Sequence, residues 1–142
     1  PYFDDVNAII FMVAISAFDQ QCEDDERLNR LQDCISLFNS IANHKLFETT
    51  SFILFLNKID IFQQKLEAGS LVSAHFPEYQ GPNDYVNTTM FFQHRFLTQC
   101  KDTAKQVYTH FTHATDTNQM RVIVVAVNAI VQRLNLRSSG LL

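Results

Sequence analysis

The sequence predicts an α/β fold, with a mainly parallel sheet whose strands are joined by helical crossovers. The continuous apolar run 8–15, and the β-rich run 50–56 with five consecutive apolar residues at 52–56, are typical of parallel strands that are buried on both faces. A third segment, Val107–Phe111, alternates as a strand does, and segments with helical spacing separate the three. Strands that alternate with helices indicate parallel pairing through crossovers.

The first predicted strand, residues 8–15, ends at Ser16 and Asp19. The acidic residues 23–26 follow it, and acidic side chains stabilise the positive end of the helix dipole. We therefore expect the first long helix to begin at this acidic run. Its apolar positions, mostly at helical spacing, are Leu28, Leu31, Ile35, Leu37, Phe38 and Ile41.

The second predicted strand, residues 50–56, is followed by a short helical turn that opens at 61–62. A loop is predicted over 69–83, because this segment contains two of the three prolines of the chain. A second long helix is expected over 85–98, before the third strand. A final helix is expected over about 118–136, since its i, i+3, i+4 pattern is too long for a strand. The chain has no internal repeat or linker, so residues 1–142 are interpreted as one unit.

Composition narrows the classes of function. At 142 residues and 46% hydrophobic content, the chain is long enough to bury the core of one domain. A net charge of −4 argues against binding nucleic acid, which usually requires a basic face. Cys22, Cys34 and Cys100 are odd in number and scattered, so we expect reduced thiols and no zinc site. No bound metal is expected from His110 and His113 either, because a third ligand is not evident.

The segment FILFLNKID places Asn57, Lys58 and Asp60 directly after a buried strand. Ligands of parallel sheets bind beyond the carboxyl ends of the strands, where the loop 112–115 after the third strand also lies. An Asp carboxylate accepts two parallel hydrogen bonds, which guanine offers through its ring N–H and its amine and adenine does not. The small Ala114 lets a base approach closely. The pattern therefore predicts a guanine site.

Three segments carry a family resemblance: FLNKID, the later FTHATDTNQMR, and the ending NLRSSGLL. They resemble the C-terminal part of a heterotrimeric G-protein α subunit, and the likeness runs through nearly the whole chain. It implies the C-terminal half of a P-loop, Ras-like GTPase fold with three layers. It also implies that guanine is recognised by Asn57, Lys58, Asp60 and Ala114. His113 stands where the family usually has Cys.

Several parts of that family are not found in this sequence. The phosphate-loop motif G-x-x-x-x-G-K-[ST] is absent, as are the D-x-G-G-Q segment, the switch Arg and the Mg²⁺-binding Thr. By resemblance, the N-terminal strands, the phosphate loop and the inserted helical domain would belong to a longer parent protein. We expect GTP or GDP as the ligand, and Mg²⁺ only through residues outside this chain. Hydrolysis is expected of the parent GTPase and is left open for these residues alone.

The last residues resemble the family's tail that inserts into activated seven-helix receptors. The resemblance implies receptor contact by Leu136, Gly140, Leu141 and Leu142. A G-protein-coupled receptor, βγ subunits and an effector are the implied partners. The implied location is the cytoplasmic face of the plasma membrane, with peripheral attachment through a missing N-terminus and no membrane anchor in this chain. Ser139 stands where inhibitory-class members, which the chain otherwise resembles, carry the Cys modified by pertussis toxin.

Two other interpretations are left open by the residues. The chain could be an interaction module that uses a GTPase-like scaffold to bind partners and binds no nucleotide. A metabolic α/β enzyme would require a catalytic constellation, which the sequence does not provide. A glycine-rich phosphate loop in upstream sequence would separate the GTPase from the interaction module.

Overall fold

The computed structural model describes residues 8–113, which contain three parallel strands and three α-helices. The strands are β1 (Ala8–Ala14), β2 (Ser51–Asn57) and β3 (Val107–Phe111). The helices are α1 (Arg30–Ala42), α2 (Ile59–Glu67) and α3 (Tyr85–Leu97). Short 3₁₀ turns occur at Ile15–Asp19, Lys45–Phe47 and Val72–Ala74. None of the helices within this described range is long and apolar enough to cross a membrane. The helix predicted over 118–136 lies outside the described residues.

The sheet has the order β1-β2-β3, and both neighbouring pairs are parallel. Helix α1 connects β1 to β2, while α2 and α3 follow one another between β2 and β3. The predicted α/β fold with helical crossovers is therefore confirmed. At the carboxyl edge of the sheet, Asn57 pairs in register with Ala14, and Leu56 pairs with Phe111. This register places the loops that follow β2 and β3 side by side.

Burial differs between the two continuous apolar strands. Five of the seven residues of β2 are buried, as the sequence predicts for a strand covered on both faces. In β1 only Ile9 and Val13 are fully buried, and the other residues are half-buried. Full coverage of β1 is thus not what the structure of residues 8–113 shows. The physical reason is position: β2 is central, whereas β1 pairs along one side only within this range.

Helix α1 begins at Arg30 rather than at the acidic run 23–26, so that part of the prediction is wrong. The acidic run lies in a turn that is closed by a 2.9 Å hydrogen bond from the Cys22 N–H to the Leu28 carbonyl. Leu28 in this turn is 46% exposed, and Leu37 on the helix is 52% exposed, so neither is a core position of α1. A favourable dipole position does not by itself satisfy the unpaired N–H groups of a first turn.

The residue that starts α1 is Asn29. Its Oδ1 accepts hydrogen bonds from the backbone N–H groups of Leu31 and Gln32, at 2.9 and 3.0 Å. Its Nδ2 donates to the Phe18 carbonyl at 2.6 Å, which ties the helix start to the turn after β1. One side chain thus caps the helix and fixes its position against the sheet.

We expect Asn29→Ala to lower the free energy of unfolding by about 1 kcal/mol, the usual loss when a helix cap is removed. Urea unfolding followed by circular dichroism measures this change. Ser36→Ala on the exposed face of α1 is the matched control and should leave the midpoint nearly unchanged. Equal midpoints for Asn29→Ala and the parent would show that the cap does not stabilise the protein.

Helix α2 is longer than the short turn predicted at 61–62, because it begins directly after Lys58 and includes nine residues. Phe62 and Leu66, one turn apart, are both buried and hold the helix against the core. The following segment is mainly loop, as predicted, and Asn83 orders it. The Asn83 Oδ1 accepts from the Val72 N–H at 3.0 Å, and its Nδ2 donates to the Ser70 carbonyl at 2.9 Å.

Phenylalanine dominates the core. The Phe38 ring of α1 is fully buried and meets three others edge to face: Phe11 on β1, Phe52 on β2 and Phe96 on α3, with centroids 5.2, 5.7 and 5.6 Å away. Edge-to-face contacts add to the stabilisation from apolar burial. Phe38 therefore joins both long helices to two strands. The fully buried phenylalanines in the described range are Phe18, Phe38, Phe52, Phe62, Phe76, Phe92 and Phe96.

Candidate functional site

The ends of β2 and β3 are joined by Asn57 and Thr112. Asn57 is only 5% exposed, and its Oδ1 accepts a 2.9 Å hydrogen bond from the Thr112 hydroxyl. Two backbone bonds reinforce the contact, from the Thr112 N–H to the Leu56 carbonyl (3.0 Å) and from the Ile59 N–H to the Thr112 carbonyl (3.2 Å). Asn57 Nδ2 lies 3.8 Å from the Met12 sulfur, a weak acceptor. Asn57 thus holds the two loops together as one surface.

Lys58 has left-handed backbone angles, with φ 62° and ψ 38°. Within residues 8–113 it is the one non-glycine residue with a positive φ. This conformation is unfavourable by about 1–2 kcal/mol for an L-residue, and such strain is often found at functional sites. The turn at Lys58 lets α2 start at Ile59, two residues after Asn57, which is the last buried position of β2. It therefore places Asp60 in the first helical turn.

Asp60 has a buried carboxylate oxygen that lacks a hydrogen-bond partner at this edge of the described sheet. Its Oδ1 is buried and has no hydrogen-bond partner among the residues that the structure describes. A buried acceptor left unpaired is unfavourable by about 1–3 kcal/mol, and more when the group is charged. The carboxylate lies at the positive end of α2, where an anion is stabilised. An acceptor of this kind fits the adjacent N–H donors of guanine, so the residues present are compatible with that base.

Three of the predicted guanine residues, Asn57, Lys58 and Asp60, thus lie together at the end of β2 and the start of α2. The fourth, Ala114, lies just outside the described residues, and His113 before it is exposed. The predicted receptor-contact residues also lie outside the described range; they are Leu136, Gly140, Leu141 and Leu142.

The structural role of Thr112 was not predicted from the sequence. The hydroxyl follows β3 at the position where the loop meets Asn57, but no local pattern identifies the partner. The pairing depends on the register of two strands that are far apart in the chain. The sequence offered one signal for this contact, which is a polar residue directly after each of the two predicted strands.

Metal and thiol chemistry have little support in the described range. No group of three or more His, Cys, Asp or Glu residues within 8–113 could hold a metal ion. The His110 ring stacks on Phe55, with centroids 5.3 Å apart. Burial raises the pKa of the Cys100 thiol. The positive charge of nearby Lys105 lowers this pKa and so offsets part of the increase. A raised pKa disfavours the thiolate, which is the nucleophilic form of cysteine.

Comparison with known proteins agrees with this geometry. The family model described as "G-protein alpha subunit" matches residues 1–131. The chain is 47% identical over 140 residues to the "Guanine nucleotide-binding protein alpha-1 subunit" of Mycosarcoma maydis. It is 46% identical over 140 residues to the "Guanine nucleotide-binding protein subunit alpha" of Colletotrichum trifolii and to the alpha-1 subunit of Neurospora crassa.

Each of these alignments covers 99% of this chain and 39% of the relative, so the chain spans about two fifths of the length of these relatives. The family match extends over the parallel sheet and over the residues that follow β2 and β3. The family resemblance of FLNKID, FTHATDTNQMR and NLRSSGLL is therefore confirmed. The chain belongs to the G-protein alpha subunit family and has its P-loop GTPase type of α/β fold.

Proposed function

We propose that this chain is the guanine-recognising and receptor-coupling part of a heterotrimeric G-protein α subunit. Such a subunit is a GTP-dependent switch that passes signals from G-protein-coupled receptors to effectors. Family membership supports a role in G-protein signalling, and the relatives are named guanine nucleotide-binding proteins. The observation that carries the guanine assignment is the buried Oδ1 of Asp60, beside Asn57 and Lys58, which has no hydrogen-bond partner within residues 8–113.

Each residue of the proposed site has a separate task. Asp60 accepts the paired N–H donors of guanine, while the Lys58 stem lies along the base. Asn57 holds the start of the loop after β3 through Thr112. Contact with the base by Ala114 is proposed from the family resemblance. GTP supplies a γ-phosphate that GDP lacks, and this difference separates the two signalling states. Binding of the phosphates is assigned to residues outside this chain.

A direct test compares nucleotides in a full-length chimera, in which residues 1–142 replace the aligned segment of the Mycosarcoma maydis subunit. We call this chimera the completed subunit. GDP should bind more tightly than ADP by about 10,000-fold, because ADP leaves the Asp60 carboxylate unpaired. Isothermal titration with GDP, inosine diphosphate (IDP) and ADP measures this preference. Comparable affinities for GDP and ADP would contradict guanine recognition and favour the nucleotide-independent interaction module.

Receptor coupling is proposed for the C-terminal residues. Deletion of Leu141 and Leu142 from the completed subunit should abolish most receptor-stimulated GDP release, since two apolar side chains are lost from the segment that enters the receptor groove. Basal GDP release should not change. The measurement is GDP release with and without an activated receptor that couples to the completed subunit, with Ser138→Ala as the control. Full stimulation of the deleted variant would remove these residues from the receptor contact.

We further propose βγ subunits and an effector as partners, and the cytoplasmic face of the plasma membrane as the site of action. Family membership supports these partners in general terms. GTP hydrolysis is proposed for the whole subunit and is not assigned to residues of this chain.

A further inference from the structure

We propose that Lys65 is a positioning residue for guanine binding: it holds α2, and with it Asp60, by a partly buried clasp on the turn that follows β1. The clasp consists of Lys65, Ser16, Asp19 and Ser70. The proposal rests on the function proposed above and adds a residue that does not touch the base.

The clasp joins three separate segments of the chain. The Lys65 Nζ donates to the Ser16 carbonyl at 2.7 Å and to the Asp19 Oδ1 at 2.6 Å. The Ser70 hydroxyl donates to the other Asp19 oxygen at 3.3 Å. The side chains of Lys65 and Asp19 are 26% and 21% exposed, so the pair is largely shielded from solvent. The turn after β1, the end of α2 and the start of the next loop are thereby linked.

Such a contact is stronger than an ordinary surface ion pair. Exposed pairs contribute little because both side chains stay mobile and the charges are screened. Here the Lys65 ammonium also lies 5.9 Å from the centroid of the buried Phe18 ring. A lysine that only complemented the helix dipole would need no contact with the turn after β1. The observed partners indicate that the direction of α2 is being fixed.

Helix α2 is short enough for the clasp at Lys65 to fix the position of Asp60 at the other end of the helix. Helix α2 has nine residues, with Asp60 in its first turn and Lys65 near its end. Its first residue is held by the Ile59 N–H bond to Thr112, and its middle packs through Phe62 on Phe18 at 5.3 Å. Loss of the clasp leaves the far end of α2 free to tilt. Binding sites tolerate errors of only about 0.5 Å or 10–20°, so a small tilt weakens the Asp60 contact.

The test is Lys65→Met in the completed subunit, with the dissociation rates of GDP and IDP as readouts. IDP keeps the ring N–H but lacks the amine, so it makes only one of the two bonds to Asp60. We expect GDP to dissociate about 10-fold faster and IDP less than about threefold faster, because misplacing a site group weakens the contacts that depend on it. The ratio between the two nucleotides should therefore fall. Asp19→Asn should have the same effect.

The matched control is Asp25→Asn, which removes the exposed ion pair with Arg27 in the same stretch after β1. It should leave both dissociation rates unchanged. If Lys65→Met fails to fold, Ser70→Ala removes one hydrogen bond of the clasp, and it should lower the GDP-to-IDP discrimination to a smaller degree.

The outcomes separate this inference from the function on which it rests. A parent subunit that does not distinguish GDP from IDP would overturn both. If the parent distinguishes them and all the clasp variants keep the parent ratio, only the role of Lys65 is overturned. Equal acceleration for both nucleotides, together with a lower melting temperature, would show that the clasp stabilises the fold without orienting Asp60.

Discussion

Asp60→Asn should weaken GDP binding by the completed subunit on the order of 100-fold, the loss expected when a charged hydrogen-bond acceptor is removed from a buried pair. The amide replaces one carboxylate oxygen by an NH₂ group, which then faces a donor of guanine. Xanthine has a carbonyl in place of the guanine amine, so the variant should bind xanthosine diphosphate more tightly than the parent does. Titration of both nucleotides against parent and variant measures the reversal.

Glu67→Gln is the control for this experiment, because it makes the same change of charge on the exposed end of the same helix. It should keep the preference of the parent for GDP. If Asp60→Asn binds GDP as tightly as the parent, Asp60 does not contact the base, and the lack of a partner for its Oδ1 within residues 8–113 has another explanation.

Phe38→Ala should lower the free energy of unfolding by about 3–5 kcal/mol, as expected for the loss of a buried aromatic ring. The ring is fully buried and contacts Phe11, Phe52 and Phe96, so the cavity would open between both long helices and two strands. Rigid neighbours on several sides limit how far the core can collapse to fill it. Urea unfolding of the completed subunit measures the change. The transitions followed by intrinsic fluorescence and by circular dichroism are compared to test whether both probes report the same unfolding step.

Leu37→Ala is the matched control, since Leu37 precedes Phe38 on α1 and is 52% exposed. Its effect should stay within about 0.5 kcal/mol, as for most surface substitutions. If both variants lose a similar free energy of unfolding, the contacts of Phe38 do not contribute the stability that its burial indicates.

The residues alone were enough to predict the class of fold and the position of Asn57, Lys58 and Asp60 at the end of a buried strand. The seven-residue β2 has five consecutive apolar residues between Ser51 and Asn57, a pattern that is typical of a central strand in a covered sheet. The prediction of guanine from the N-K-x-D side chains rests on hydrogen-bond chemistry that does not depend on the rest of the fold. Asn57, Lys58 and Asp60 are accordingly found where the sequence places them, and base contact by them stays a prediction.

Helix boundaries show why local patterns were insufficient elsewhere. The acidic run 23–26 has the charge expected of a helix start, yet α1 begins at Arg30. Asn29 satisfies two N–H groups of α1 and bonds to the Phe18 carbonyl, a partner eleven positions away. Dipole stabilisation is a weak preference, and a cap that also makes a tertiary contact outweighs it.

Contacts between distant segments decided the remaining features. Asn57 meets Thr112 only because β2 and β3 pair in one register, and Lys65 meets Asp19 only because α2 packs beside the turn after β1. The left-handed backbone of Lys58 likewise depends on its surroundings, since a lysine has no intrinsic preference for it. Residue chemistry is local and can be read along the chain, whereas orientation comes from partners that only the folded sheet brings together.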